Sequence, residues 1–456
     1  MSESTKLQSS AGGAPQPELK RVLGLWALVA FGVGDILGAG VYALIGKVAG
    51  QAGSAAWMSY LVAGVLALLT GFTYAELGSR FPKAGGAAHY VQEIYRNRFA
   101  TFLIIFFVVL SGLFAIATSS HTFAQYALHF MDDPGILQST VLPIAFLCVV
   151  GFVAARGVEL SSIANIVCFC VELTALLIII GLGIRFIGGV DYFEFPTPAE
   201  GADLGKTTLV LGGAITAFFA FIGFEDMANL AEETKDASRT LPLAIMIAIG
   251  ITTSLYLLIA LIAVSVVPFE ELKASSAPLI LVLQRAAPWF PAQVYSIMPA
   301  FAVFNTGLVV IIMASRLLYG MSRGAGAQLP RALSYVHPRW RTPVLALLAA
   351  GGVVLLMILS TSKIEVLADG TTIFILIVFA MLHVALIIAK RNNLGGPPRF
   401  SVPVIAPALG TVLSLALLGS QSFKDFKMFF YLAIGGVVLF GVNWFFLGRR
   451  TVEAVD

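Results

Sequence analysis

The sequence predicts an all-α membrane protein of twelve transmembrane helices, arranged as five-plus-five inverted repeats in which helices 1 and 6 are broken. Three observations lead there. First, 58% of the 456 residues are hydrophobic and only 12% charged. The apolar residues fall in runs long enough to cross about 30 Å of hydrocarbon. Second, two of those runs are interrupted at matching places, at Gly32-Val33-Gly34-Asp35-Ile36-Leu37-Gly38-Ala39-Gly40 and at Phe219-Ala220-Phe221-Ile222-Gly223-Phe224-Glu225-Asp226. Non-helical backbone survives at membrane depth only where protein buries it or it lines a watery cavity. Third, each interrupted run opens a block with an odd number of spans, so the second block is inverted relative to the first. That is the arithmetic of an inverted-topology transporter.

In chain order, the apolar pattern sets segments at 22–49, 54–79, 98–128, 139–155, 160–187, 207–230, 240–267, 291–322, 342–360, 364–389, 403–420 and 427–447. Residues 1–19 are polar and small, lack the apolar core of a signal peptide, and read as a disordered cytoplasmic tail. Residues 20–390 form the transporter core. Residues 391–450 carry helices 11 and 12, suited to packing or dimerisation, so monomer and homodimer are both open. Residues 451–456 are a short tail. The external connections 188–206 and 268–290 have room only for short surface helices.

With the N-terminus inside, 20 of the 28 Lys and Arg residues fall on the cytoplasmic side, and the reverse topology inverts that ratio. Both termini are therefore expected in the cytoplasm and the chain in the cell membrane. A net charge of +3 suggests no nucleic-acid partner. Cys148, Cys168 and Cys170 all lie in apolar runs and read as buried small hydrophobes rather than metal ligands. His121 and His383 read as packed residues, with no metal-binding set near them.

Two cytoplasmic loops are too specific for plain connectors. Ala75–Gly86 follows the second segment and leads into a short amphipathic stretch, Ala87–Tyr95. Ser315–Arg323, Leu329–Leu333 and His337–Arg339 follow the eighth. They serve either as topogenic charges with proline turns or as an intracellular gate pairing arginines with Glu76, Glu232 or Glu233.

Three acids stand where hydrocarbon is expected: Asp35, Glu172 and Glu225. Each costs about 2.5–3.5 kcal/mol on insertion scales, so a functional role is the default reading and each is a candidate proton carrier. Plain alternatives exist. Asp35 can cap N–H groups freed by the break, Glu172 can be a neutral acid bonded to a helix carbonyl, and Glu225 is favourable at a helix N-terminus on dipole grounds alone.

Together these residues resemble the amino acid–polyamine–organocation (APC) superfamily, most closely its bacterial amino acid permeases related to cationic amino acid transporters. The matching pieces are Gly38-Ala39-Gly40-Val41-Tyr42, the Ala75–Gly86 loop, Gly223-Phe224-Glu225-Asp226 with Ala231-Glu232-Glu233, Arg239-Thr240-Leu241-Pro242, and Leu318-Tyr319-Gly320-Met321-Ser322-Arg323. The resemblance implies a LeuT-type fold, a mid-membrane substrate site and alternating access. It implies that Gly38, Ala39 and Gly40 take a substrate carboxylate, while Phe219, Ala220 and Ile222 contact the ammonium and side chain. Phe219 falls where related permeases place an aromatic lid. Asp35, Ile36 and Gly223 complete the expected binding set, Asp35 as an acceptor for the ammonium or a coupling proton.

Glu172 aligns with a position where proton-coupled relatives often carry lysine, so the chain departs from that pattern. Three roles stay open to it: carrying the proton, holding a sodium ion with helix 1 carbonyls and Ser315, or attracting a cationic substrate group. Glu225 and Asp35 are the other coupling candidates.

The leading expectation is an amino acid transporter, by proton-coupled symport, that takes no cofactor and is driven by a proton or a sodium gradient. The alternatives are an exchanger of a cationic amino acid or diamine, and a receptor that binds amino acids without moving them. An ion channel fits a closed binding pocket poorly. An enzyme is excluded for want of a nucleophile–base or metal constellation. The partners expected are the lipid bilayer and a small amino acid or amine.

Overall fold

The computed structural model describes residues 21–196 apart from 22, 84, 130, 132–134 and 157, then 205–322, 329–420 and parts of 431–441. The first apolar segment divides into α1 (Leu25–Ile36) and α2 (Ala39–Ala52), and Gly53, at a φ of 68°, turns the chain toward α3 (Ala56–Arg80). The amphipathic stretch is α4 (Gly86–Tyr95), which buries Tyr90, Val91 and Ile94. Next comes α5 (Arg98–Ala127), started by Asn97, whose side chain accepts from the N–H groups of Phe99 and Ala100 at 2.9 and 3.3 Å. The first half closes with α6 (Leu142–Ala155), entered through a π turn, and α7 (Val158–Gly183).

The second half opens with α8 (Lys206–Phe218), which gives way to two 3₁₀ stretches, Phe219–Phe221 and Phe224–Glu233. It continues through α9 (Ala237–Val266), α10 (Phe269–Ala274), α11 (Pro278–Ala286), α12 (Ala292–Met321), α13 (Val344–Ser360) and α14 (Ile364–Arg391). The last described helix is α15 (Ile405–Gly419). Most of the expected twelfth segment, both tails and residues 197–204 lie outside the described residues.

Among the described residues, eight helical stretches are long and apolar enough to cross a bilayer. Their outward faces carry large apolar side chains such as Ile166, Ile297 and Phe152, each more than half exposed. A continuous apolar surface of this kind suits lipid and not water. Among the described residues there is no sheet, only an isolated bridge between Leu23 and Thr234. It fastens the chain ahead of α1 to the end of the second break, with Leu23 N–H on the Glu233 carbonyl at 3.0 Å.

Three details differ from the sequence expectation. The helices α10 and α11 are more than surface helices: Glu270, Glu271, Lys273 and Arg285 face outward while Leu272, Leu279, Ile280 and Leu283 are fully buried, because one face of each is apolar and folds into the bundle. Only Cys168 is buried, whereas Cys148 and Cys170 face outward, where the lipid tails accept a thiol as readily as the core does. The segment after Gly223 is 3₁₀ and not α, beginning with Asp226 N–H on the Gly223 carbonyl at 3.0 Å.

Glu76 is fully buried and does pair with an arginine, Arg80, at 2.9 Å one turn along α3. Its other oxygen receives Lys390 Nζ at 2.6 Å and the Val402 N–H at 2.8 Å. The carboxylate thus staples the α14–α15 connection to the end of α3. His383 is a packing residue, held by Thr73 Oγ1 at 2.7 Å with its ring filling the space beside Gly410.

Candidate functional site

Helix α1 stops because Leu37 turns extended, with ψ of 105°, and Gly38 adopts a φ, ψ pair of −155° and −150°. Two glycines then let neighbours come close. A Cβ on Gly38 would fall on the Thr306 hydroxyl, and one on Gly40 would fall on the backbone of Ala220. The second break is held by Gly223, whose φ of 134° is a conformation that side chains rarely adopt. A Cβ there would sit 2.7 Å from the Asp35 carbonyl oxygen. The two interruptions therefore touch each other, at Gly223 on Asp35 and at Ala220 on Gly40.

Backbone groups freed by the first break are met by side chains from distant helices. Asn305 Nδ2 of α12 donates to the Gly34 carbonyl at 3.0 Å, and the Tyr256 hydroxyl of α9 donates to the Ile36 carbonyl at 2.8 Å. Thr306 Oγ1 accepts the Ala39 N–H at 3.2 Å. Asn305 is itself oriented by Asn165 Nδ2 of α7, at 2.8 Å from its Oδ1. This is how non-helical backbone is tolerated at that depth: each named group has a partner.

Between the breaks lies a cavity of ≈ 90 Å³. One wall carries Asp35, Gly38, Ala39, Gly40, Phe219, Ile222, Gly223, Glu225 and Asp226. The facing wall, from α5, α12 and α14, is mainly apolar, with Ile105, Val108, Val310, Met313, Leu317 and Ile375. Among the described residues, the cavity lining includes three carboxyl groups and no Lys or Arg. Glu225 accepts the Gly223 N–H at 2.9 Å and Asp226 accepts from Asn229 at 3.2 Å, whereas Asp35 Oδ2 is buried without a partner. An acceptor so placed suits an ammonium group or a proton.

Of the residues expected from sequence, Asp35, Ile36, Gly38, Ala39, Gly40, Phe219, Ile222, Gly223 and Glu225 all line this cavity. Ala220 lies behind it, packed on Gly40. Glu172 is not in the wall: it is fully buried on α7, and neither of its oxygens has a hydrogen-bond partner. Ser315 is also outside the lining, with its hydroxyl donated to the Ile312 carbonyl at 2.8 Å. Sequence reasoning missed Thr306, Asn305, Asn165 and Tyr256. The available signal was the polar pair Asn305-Thr306 within an otherwise apolar stretch of α12.

Comparison with known proteins agrees with this geometry. Residues 23–445 match the family model described as amino acid permease. Cationic amino acid transporter 9, chloroplastic, of Arabidopsis thaliana is 31% identical over 74% of this chain, which spans 60% of that protein's length. Branched-chain amino acid permease BcaP of Bacillus subtilis is 27% identical over 94% of both chains. The methylthioribose transporter of Bacillus subtilis is 25% identical over 95% of this chain and 96% of its own. These relatives are transporters and not enzymes. A cavity between two broken helices, together with a family match over nearly the whole described chain, identifies the protein as a member of the amino acid permease family within the APC superfamily.

Proposed function

We propose that this protein carries an amino acid across the cell membrane by alternating access, coupled to the inward movement of protons. The reading takes the fold to be twelve helices in two inverted five-helix repeats, with helices 11 and 12 outside the repeat and both termini cytoplasmic. One observation carries it: the two interruptions meet at Gly223 and Asp35 over a cavity whose walls divide into polar and apolar halves. A zwitterion fits such a division. Its ammonium goes to Asp35 and its carboxylate to the N-terminus of α2, where backbone N–H groups and the helix dipole favour an anion. Its side chain lies on the apolar wall, which suits the branched-chain substrates named for one relative.

Coupling falls to three carboxyl groups, Glu172, Asp35 and Glu225. Among the described residues neither oxygen of Glu172 has a hydrogen-bond partner, so a proton on it removes a charge that nothing there pairs. Asp35 and Glu225 face the cavity, where protonation and substrate binding affect each other directly. A second reading, exchange of a cationic amino acid or diamine, is favoured by the three carboxyls and the absence of Lys or Arg in the lining.

Purified protein in liposomes is expected to concentrate labelled amino acid when a proton gradient is imposed without sodium. Uptake that requires internal amino acid supports exchange. Binding with no flux in either condition makes the protein a receptor and overturns transport. Glu172→Gln is expected to lose gradient-driven accumulation while keeping part of the exchange activity. A variant that still accumulates substrate normally removes Glu172 from coupling.

A further inference from the structure

Thr306 reaches the start of α2 from a helix distant in sequence. Its Oγ1 accepts the Ala39 N–H at 3.2 Å while its own proton goes to the Ala302 carbonyl at 3.3 Å. Both bonds are long, the first at the end of the usual range and the second beyond it. Gly38, the residue ahead of α2, has no side chain to cap the helix, and its missing Cβ leaves the space the hydroxyl occupies. Thr306 therefore stands as the acceptor at the positive end of α2, a place that ordinarily favours an oxygen ligand. Across the same cavity, Asp35 is 7% exposed and presents Oδ2 without a partner. The site thus offers a replaceable acceptor on one side of the break and an unmet acceptor on the other.

We propose that Thr306 makes the site select substrates that bear a carboxylate. An incoming carboxylate takes over the Ala39 N–H, because an ionised acceptor makes a shorter and stronger bond than a hydroxyl. The released Thr306 hydroxyl turns its proton from the Ala302 carbonyl to the same carboxylate, giving the substrate two donors in place of one. An amine without a carboxylate obtains neither bond and leaves the Thr306 pairing as it stands. Asp35 serves the ammonium of both kinds of ligand, so the Ala39 N–H and the Thr306 hydroxyl together separate them, and Thr306 is the side chain that does so. This inference rests on the amino acid reading of the cavity and deepens it.

The test measures dissociation constants by ligand-dependent thermal shift on the full chain in detergent. The probes are L-leucine with 3-methylbutylamine, and L-arginine with agmatine, each pair differing by the carboxylate. Thr306→Val keeps the shape and removes the hydroxyl. It is expected to weaken the amino acid of the pair about tenfold, the scale of a hydrogen bond to a charged group, and to leave the amine unchanged. Thr306→Ser is expected to keep the preference, and Thr306→Ala to reduce it about as much as valine does, so the inference stands or falls even where the valine variant does not fold. Equal weakening of acid and amine, or no change in either, overturns it. A wild-type protein that binds acid and amine equally also overturns it while leaving the amino acid reading intact. A wild-type protein that binds no amino acid overturns that reading and this inference together.

Discussion

Gly223 stands so close to Asp35 that a Cβ added to it would lie 2.7 Å from the Asp35 carbonyl oxygen. The contact joins the two breaks, one from each half of the core, and brings Glu225 and Asp226 round to the wall that Asp35 occupies. Two physical demands coincide in this glycine, a positive φ and the absence of a side chain.

Gly223→Ala is expected to abolish uptake, since the side chain meets both a strained backbone and a carbonyl that cannot retreat. Gly250→Ala is the control, because nothing lies within 4 Å of a Cβ there. Uptake assayed at matched surface expression decides the matter. A Gly223→Ala protein with ordinary uptake shows that the contact between the breaks is dispensable.

Tyr256→Phe removes only the hydroxyl that donates to the Ile36 carbonyl at 2.8 Å. A buried carbonyl left unmet costs about 1–3 kcal/mol, here at the end of α1. Amide hydrogen exchange across Leu37, Gly38 and Ala39 is expected to quicken, while exchange in α14 stays as it was. Unchanged exchange at the break means that water replaces the phenol without loss.

Glu76→Gln takes the buried counter-charge from two cations, Arg80 and Lys390, whose side chains are only 10% and 11% exposed and which keep only backbone carbonyls and a serine hydroxyl. Removing one member of a buried ion pair costs roughly 3–5 kcal/mol, so the detergent-solubilised protein should unfold at clearly lower temperature. Lys390→Met is expected to be milder, because Glu76 keeps Arg80 and the Val402 N–H. A Glu76→Gln protein as stable as the parent rules out the staple.

His89 on α4 borders a recess of ≈ 660 Å³ with Arg21, Lys83, Arg96, Glu93 and Glu232. Burial holds its imidazole below the ordinary value of 6.5, Glu93 opposing that effect and Lys83 adding to it. A lowered value in the folded state means the folded protein favours the neutral ring. The stabilisation is therefore fully present above pH 6.5 and disappears as pH falls through the lowered value. Hydrogen exchange in α4, corrected for the intrinsic effect of pH, is expected to rise on acidification below 6.5. His89→Gln should flatten that response, and an identical response in the variant assigns the acid sensitivity elsewhere.

The breaks were legible from sequence because a bilayer makes them conspicuous. Glycines and carboxylates inside an apolar run are anomalies that can be seen locally, without knowing what surrounds them. Those breaks, read together with the family resemblance, pointed to Asp35, Gly38, Ala39, Gly40, Phe219, Ile222, Gly223 and Glu225, which line one cavity, and to Ala220, Glu172 and Ser315, which do not. The same local logic gave short surface helices at α10 and α11 but not the burial of their apolar faces, because burial depends on which neighbours receive Leu272 and Leu283.

By itself, then, the sequence determined that the chain is a helical membrane protein and where its helices are interrupted, since both follow from how each segment partitions between water and hydrocarbon. The tertiary structure decided which groups complete the interruption. Thr306 bonds the carbonyl four residues back, as a threonine in any membrane helix can, and only the approach of α2 gives its oxygen a second task at Ala39. Tyr256 and Asn305 likewise acquire their meaning from carbonyls on α1 that are more than 200 positions away. Hydrogen-bond partners at such separations are chosen by packing, which no local pattern of residues encodes.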